Sequence, residues 1–169
     1  MTTRAHAPDP DHPWTTSIYA REEARVRGDR RVGTEHLVLG LLHEPLIGSL
    51  LGADLPRARA ALDALDRDAL GAIGVRAHLG APPLPTFEPP PRPTPKAVWQ
   101  GRLPLTPAAK VALQEAGKPI RRGRQITAPE VLLRLLEREP PDPGAALFVA
   151  LDVDRARLRV GLITRPSAS

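Results

Sequence analysis

Cysteine is absent from this chain of 169 residues, and aromatic residues make up only 3% of it. Without cysteine the chain has no disulfide framework and no thiolate chemistry, so a cytoplasmic location is the simplest expectation. The shortage of aromatic rings leaves almost no platform on which bases of single-stranded nucleic acid could stack. Apolar runs stay below the roughly 18 to 20 residues of a membrane span. We therefore expect no membrane anchor, and the polar residues before position 13 predict neither a signal nor a transit peptide.

Lysine is scarce as well, since only Lys96, Lys110 and Lys118 are present and arginine supplies most of the positive charge behind the net +5. None of these lysines follows a glycine-rich phosphate loop, so we expect neither ATP binding nor ATP hydrolysis. No serine lies in a Gly-x-Ser-x-Gly pattern. His36 and His43 are seven residues apart, and no third convergent metal ligand accompanies them. The sequence therefore predicts a protein that is not an enzyme and holds neither a metal ion nor a cofactor.

The most informative stretch runs from Arg31 to Glu44, with the sequence RVGTEHLVLGLLHE. A weaker copy, TAPEVLLRLLEREP, lies at residues 127–140. A chain that repeats its sequence pattern repeats its fold, so the two copies predict two similar helical units. Five residues of the first copy recur 95 positions later in the second, namely Glu35, Leu37, Leu41, Glu44 and Pro45 as Glu130, Leu132, Leu136, Glu139 and Pro140.

Apolar periodicity and terminal signals predict four helices in each unit. Thr34 is the expected N-cap of the second helix, and Thr106 with Pro107 opens the fifth. Thr127 and Glu130 have the spacing of a capping box at the start of the sixth helix. The predicted helices span residues 14–27, 34–44, 47–51 and 54–70 in the first unit and 106–116, 127–139, 143–150 and about 152–162 in the second.

The match between the units continues past the second signature, after a loop at residues 139–144 that carries about five extra residues. Either Asp152 or Asp154 is expected to cap the eighth helix. Because the copies align helix for helix around the loop, we expect the same architecture in both. Beyond it the offset is 100 residues, as in the pairs Leu51/Leu151, Asp54/Asp154, Arg57/Arg157 and Arg59/Arg159.

Proline concentrates between the two units, with nine prolines from Pro82 to Pro104. Such a segment cannot be helical and has little to bury, so residues 73–103 are predicted to form an extended, polyproline-like linker. A ligand for an SH3-type domain is an alternative, but a spacer between repeats is the simpler interpretation. Residues 1–12 are predicted to be a disordered tail and residues 164–169 a short terminal tail.

The first signature, VGTEHLVLGLL, resembles the "VGTEHLLLGLL" signature of the N-terminal domain of Clp unfoldases, the ClpC type in particular. The segment LPLTPAAK at residues 103–110 is similar to "LPFTPRAK", which opens the second repeat of that domain. The resemblance covers residues 13–163, with the proline-rich linker as an insertion. It implies an all-α fold in which two pseudo-symmetric four-helix Clp repeats, residues 13–72 and 104–163, form one eight-helix domain. We expect no counterpart of the ATPase modules of full-length Clp proteins in these 169 residues.

The resemblance also implies a ligand site. In ClpC-type domains the glutamate of each signature is implicated in binding phosphoarginine, a degradation tag of some Gram-positive bacteria. A carboxylate can hold a guanidinium in a bidentate fork, and a helix N-terminus suits a phosphate group. Carried onto this chain, the implied site has Glu35 and Glu130 as its carboxylates, with Thr34, His36, Arg31 and Arg124 beside them.

Each of these residues also has a purely structural interpretation. Glu35 suits the positive end of a helix dipole, and Glu130 completes a capping box. His36 is expected to pack or cap locally, while His43 is expected to be solvated near the helix end. The basic loops that precede the two signatures, residues 27–31 and 121–124, are then either solvated surface or rims that attract a phosphate.

The resemblance implies a stand-alone recognition module without catalytic activity, related to chaperone and protein-degradation systems. Its expected partners are degradation-marked proteins, adaptors or a ClpC-type unfoldase, and its ligands phosphoarginine or small molecules that target such domains. It would modulate or protect the unfoldase. A DNA- or RNA-binding regulator that uses the arginine-rich loops is the alternative. We discount it because the arginines are spread over all elements instead of clustering on one helix.

Overall fold

The computed structural model describes residues 13–74, 103–117 and 126–164, and every regular element within them is a helix. The predicted all-α fold is therefore confirmed for this part of the chain. None of these helices is both long and apolar enough to cross a membrane. The predicted tails, most of the proline-rich linker and the basic loop with Arg124 lie outside the described residues. The eight helices are α1 (Pro13–Arg27), α2 (Thr34–Leu41), α3 (Pro45–Leu51), α4 (Leu55–Ala72), α5 (Pro107–Gly117), α6 (Ala128–Leu136), α7 (Pro143–Ala150) and α8 (Arg155–Thr164).

Helix starts follow the capping signals in the sequence. Asp54 caps α4 by accepting a hydrogen bond from Arg57 N at 2.8 Å. Asp154 caps α8 in the same way, by accepting from Arg157 N at 2.9 Å. Asp152 instead has a φ of 58°, a left-handed conformation that asparagine and aspartate adopt more readily than most residues. The choice between the two acids is thus settled in favour of Asp154.

Helix α3 begins at Pro45, two residues before the predicted Ile47. Three predicted boundaries of the signature helices α2 and α6 were also wrong. Helix α2 ends at Leu41, not near Glu44, and α6 ends at Leu136, not near Glu139. Each of those glutamates precedes a proline, and the residue before a proline is pushed out of helical conformation. The third correction concerns Thr34, which is the first helical residue, because the N-cap of α2 is Gly33.

The core is organised around α2, which contacts α1, α4, α5, α6 and α7. A helix that is apolar all round must be buried on all sides, and seven of the eight residues of α2 are buried. Helix α6 faces the same core and also contacts α5 and α8. The predicted burial of the four signature leucines is confirmed, since each is at least 99% buried: Leu37, Leu41, Leu132 and Leu136.

Two close backbone approaches fix α2 within this core. A Cβ atom at Gly40 would lie 2.6 Å from Thr16 O and 2.8 Å from Ala20 N, so α1 crosses α2 where only glycine fits. Just before α2, Val32 forms an isolated parallel bridge with Leu105 ahead of α5. Two hydrogen bonds make it, from Val32 N to Pro104 O at 2.9 Å and from Thr106 N to Val32 O at 2.8 Å. The segments that lead into α2 and α5 are therefore joined directly.

Candidate ligand-binding site at the start of α2

Four of the six sequence-predicted site residues lie together where α2 begins, namely Arg31, Thr34, Glu35 and His36. Glu130 lies in the first turn of α6, a helix that contacts α2. Arg124 lies outside the described residues. The geometry can therefore be described for one cluster at the start of α2 and for one separate carboxylate on α6.

His36 caps α2 with its side chain, as the local-capping interpretation predicted. Its Nδ1 lies 3.0 Å from Gly33 N, so the ring takes the N3 role of a capping box. Its Nε2 lies 2.9 Å from Asp29 Oδ2, in the loop between α1 and α2. The side chain is only 2% exposed. The ring is thus held at both nitrogens inside the protein.

Thr34 joins the start of α2 to the start of α7. Its hydroxyl donates to Asp142 Oδ1 at 2.7 Å and accepts from Gly144 N at 3.0 Å. Asp142 also caps α7 by accepting from Gly144 N and Ala145 N. Thr34 is buried, and its hydroxyl both donates and accepts a hydrogen bond within the protein. It therefore supports the site structurally and is not available to contact a ligand.

Glu35 folds back over the helix start. A Cβ atom at position 33 would overlap its carboxylate, so Gly33 leaves the room that this conformation needs. Glu35 Oε1 lies 3.0 Å from His36 Nδ1. Its Oε2 is buried and has no hydrogen-bond partner among the described residues. A buried unpaired carboxylate oxygen is energetically unfavourable, so this carboxylate retains capacity for a further donor.

The pKa of Glu35 lies below its ordinary value of 4.5. Burial acts to raise this pKa, but the bond to His36, the backbone amide of Glu35 and the positive charges of His36 and Arg27 outweigh it. The side chain is 17% exposed. Glu35 is therefore a charged carboxylate at neutral pH with a small exposed edge, which is the form that binds a guanidinium.

The loop beside Glu35 carries charges of both signs. Arg27 at the end of α1 bonds to Asp63 and Asp66 on α4 and lies 3.5 Å from Asp29. The pKa of Arg27 is raised, because these three carboxylates outweigh the effect of its burial. Arg31 is exposed. The rim next to the site is therefore mixed in charge, and only part of the predicted basic run is available to a phosphate.

Glu130 forms the predicted capping box of α6. Its Oε2 accepts from Thr127 N at 2.7 Å and from Thr127 Oγ1 at 3.1 Å. A carboxylate bonded in this way stabilises the helix start. The predicted ligand role for Glu130 would require the carboxylate to leave at least part of this cap.

The sequence did not reveal a second polar cluster, which joins α1, α4 and the end of α2. Glu23 is 98% buried, and its carboxylate accepts from Arg59 at 2.9 and 2.7 Å and lies 2.8 Å from His43 Nε2. The His43 ring stacks on Tyr19 with centroids 4.1 Å apart. His43 is therefore exposed, as predicted, but its ring also packs on Tyr19 and pairs with a buried acid.

The pKa of Glu23 is lowered from 4.5 to about 2. Burial acts to raise it, and the bonds to His43 and Arg59 with their positive charges more than compensate. The sequence contains a partial indication of this cluster, because Glu23 lies between Ala20 and Ala24 on the buried face of α1. A charged residue on an apolar stripe predicts a buried partner, but the sequence alone does not identify it.

Within the described ranges no group of three or more His, Cys, Asp or Glu residues could hold a metal ion. No known family model matches the chain, and no curated protein matches it significantly. The likeness to Clp N-terminal domains therefore rests on the two signature segments quoted above.

Proposed function

We propose that this protein is a non-catalytic recognition module of the Clp N-terminal type. In this proposal it binds proteins marked with a modified arginine, with Glu35 as the carboxylate that receives the guanidinium. By taking up such clients, adaptors or small molecules, it modulates or protects a ClpC-type unfoldase. The observation that carries the proposal is the state of Glu35, a charged carboxylate with a buried oxygen that lacks a hydrogen bond.

The capping of α2 by His36, and not by Glu35, supports this role. In a standard capping box the acid at N3 bonds to the backbone of the N-cap residue. Here His36 occupies N3 and its ring bonds to Gly33 N, so the cap does not need Glu35. A guanidinium offers two parallel donors in a plane, a geometry that satisfies both oxygens of one carboxylate. Glu35 is the acid of α2 that can change partner without loss of the cap.

The two-repeat architecture belongs to the same proposal, and three local features at an offset of 100 residues support it. Gly52 and Asp152 have φ angles of 63° and 58° at the ends of α3 and α7. Hydrogen bonds from Ala53 N to Gly48 O and from Val153 N to Phe148 O close those two helices in the same way. Asp54 and Asp154 then cap the helices that follow. Such a shared helix–turn–helix geometry is the expected result of a repeated unit.

The nucleic-acid alternative is less well supported by the charges beside α2. A nucleic-acid surface is expected to be a continuous basic patch. Arg27 is instead bonded to carboxylates of α4, and Asp29 is close to it. A salt titration against random DNA tests this alternative, because phosphate contacts give a steep fall of affinity with salt.

The test of the proposal is a calorimetric titration of wild type and Glu35→Gln with phosphoarginine. Loss of a charge-assisted bond is worth about 1.5 to 3 kcal/mol, so the variant should bind roughly ten- to a hundredfold more weakly. Its free energy of unfolding should fall by only about 0.3 to 1 kcal/mol, the contribution of a first-turn acid to the helix dipole. Binding and stability are thus separated by one substitution.

Glu130→Gln is the matched control. Glutamine at N3 keeps the capping box, so this variant should stay folded and should show how much of the affinity depends on α6. Equal affinities of wild type and Glu35→Gln would remove Glu35 from the proposed site. Failure of wild type to bind phosphoarginine would contradict the proposed function as a whole.

A further inference from the structure

The His36 ring lies between two carboxylates and one backbone amide. Asp29 Oδ2 is 2.9 Å from Nε2, while Gly33 N and Glu35 Oε1 are each 3.0 Å from Nδ1. A nitrogen of a histidine ring either carries a proton and donates or lacks it and accepts. Nδ1 therefore cannot serve both of its neighbours at once, because Gly33 N offers a donor and Glu35 offers an acceptor.

In the neutral ring the proton belongs on Nε2, where Asp29 accepts it. Nδ1 then accepts from Gly33 N, and the cap of α2 is complete. Glu35 Oε1 faces an unprotonated nitrogen at 3.0 Å, a contact between two electron-rich atoms with no hydrogen between them. In this state nothing on the ring holds the Glu35 carboxylate.

In the protonated ring both nitrogens donate. Nε2 keeps its bond to Asp29, and Nδ1 donates to Glu35 Oε1, so the carboxylate is held by a charged partner inside the protein. A bond between two charged groups is shorter and roughly twice as strong as one between neutral groups. A guanidinium from a ligand then has to compete with an imidazolium for the same oxygens.

We propose that His36 is a proton-operated latch on Glu35, which holds the carboxylate when the ring is protonated and releases it for a cationic ligand when the ring is neutral. This inference rests on the proposed function, and it adds that binding is regulated by pH. Affinity for the ligand should therefore rise with pH.

The charged groups around the ring make the latch specific to Nδ1. Asp29 on the α1–α2 loop holds Nε2 in both states, and Arg27 on α1 lies 3.5 Å from Asp29. Asp63 and Asp66 on α4 bond to Arg27 and so limit its effect on the ring. On the side of α7, Asp142 bonds to Thr34 and not to the ring. Glu35 is thus the group whose engagement changes with the proton.

The second signature provides an internal comparison without a latch. The residue that corresponds to His36 in the repeat is Val131, which cannot titrate, and the acid there is bonded to Thr127. Any pH dependence contributed by this signature should differ from that of α2. Glu130→Gln should leave the pH dependence of binding unchanged.

The experiment compares wild type and His36→Gln in calorimetric titrations with phosphoarginine at about pH 6 and about pH 8. Glutamine at N3 keeps the cap but does not titrate, and the titration of phosphoarginine itself affects both proteins equally. Between the two pH values the affinity of wild type should rise about tenfold more than that of the variant, because only in wild type does the ligand compete with a charge-assisted bond at low pH. Equal pH dependence in two proteins that both bind would overturn the latch and leave the proposed function intact.

A second measurement needs neither a ligand nor a change at His36. NMR titration of the His36 ring in wild type and in Glu35→Gln follows the protonation directly. Removal of the carboxylate should move the midpoint of the ring titration to lower pH. Identical midpoints would overturn the latch even if His36→Gln fails to fold, while absence of phosphoarginine binding by wild type at both pH values would reject the latch together with the proposed function.

Discussion

Helices α2 and α6 begin in two different ways. In α6 the acid at N3, Glu130, bonds to the backbone N and the hydroxyl of Thr127. In α2 the N3 residue is His36, and the acid, Glu35, comes one position earlier. The imidazole of His36 caps α2, so the start of this helix does not depend on the Glu35 carboxylate. The same short motif gives a closed cap in one half and an available acid in the other.

The two halves also differ in how deeply their ion pairs are buried. The first half contains a buried ion cluster in which Glu23 joins α1 to α4 and to His43. In the second half Arg159, which matches Arg59, lies 3.8 Å from Glu137 at the surface, while Arg155 donates to Leu136 O at 2.9 Å in a partly buried contact. The two halves therefore differ in the burial of the ion pairs at Arg59 and Arg159, since the carboxylate partner of Arg59 is buried and that of Arg159 is exposed. Substitutions at matched positions of the two halves can test this difference.

Arg59 and Arg159 occupy matching positions and should respond very differently to replacement by alanine. Arg59 is bonded to a buried carboxylate, and removal of one partner of a buried pair costs roughly 3 to 5 kcal/mol. Arg159 lies 3.8 Å from an exposed acid, a contact worth about 0 to 1 kcal/mol. Urea denaturation of both variants measures the difference. Similar losses of stability would show that the two halves do not differ as described.

Leu41→Ala and Leu136→Ala should destabilise the protein by similar amounts. Both leucines are at least 99% buried, and truncation of a core leucine costs roughly 2 to 5 kcal/mol. Similar losses are expected because apolar packing is the feature that the two halves share. Thermal and denaturant unfolding give both values. A loss below about 1 kcal/mol at one site would indicate that the core is organised around the other helix alone.

Acid should weaken the first half through Glu23. Its pKa in the folded protein is about 2 and its ordinary value is 4.5, so the stabilisation is complete above about pH 4.5 and is lost as the pH falls toward 2. By about pH 3 the loss should reach roughly 2 kcal/mol. Denaturation at neutral pH and at about pH 3 should show this loss in wild type but not in Glu23→Gln. An equal acid sensitivity of the two proteins would place the effect on other carboxylates.

Elements whose signals are local were predictable from the sequence. Asp54 and Thr106 cap their helices because a short polar side chain at this position can accept a hydrogen bond from a free backbone N–H of the first turn. Pro107 and Pro143 are the first residues of their helices. Burial of Leu37 followed from its place in an apolar repeat. These predictions needed only neighbours along the chain.

Contacts between distant residues were not predictable in the same way. The partners of Thr34 are Asp142 and Gly144, more than a hundred residues away, and no spacing rule links them. The pairing of Glu23 with His43 and Arg59 requires three helices to be packed first. Likewise, the position of Glu35 in the signature segment pointed to it as a candidate site residue. That His36 and not Glu35 caps α2 could be learned only from side-chain geometry.

Asp54 and Asp154 are a geometrically matched pair of capping acids, and a small effect is expected for each. Asp54 accepts from Arg57 N at 2.8 Å and Asp154 from Arg157 N at 2.9 Å. Replacement of an N-cap by alanine costs roughly 0.5 to 2 kcal/mol. Because both acids are exposed and each accepts from the backbone N three residues later, Asp54→Ala and Asp154→Ala should cost similar amounts.

Denaturant titration of the two single variants and of the double variant measures this. The two caps belong to different helices, so their effects should also add in the double variant. Replacement of each acid by asparagine is the control, since asparagine keeps the cap and removes only the charge. A much larger effect of Asp54→Ala would mean that α4 depends on its cap because it anchors the buried Glu23 cluster through Arg59. Equal effects would show that the two helix starts have the same local energetics even though the two halves differ in their polar contacts.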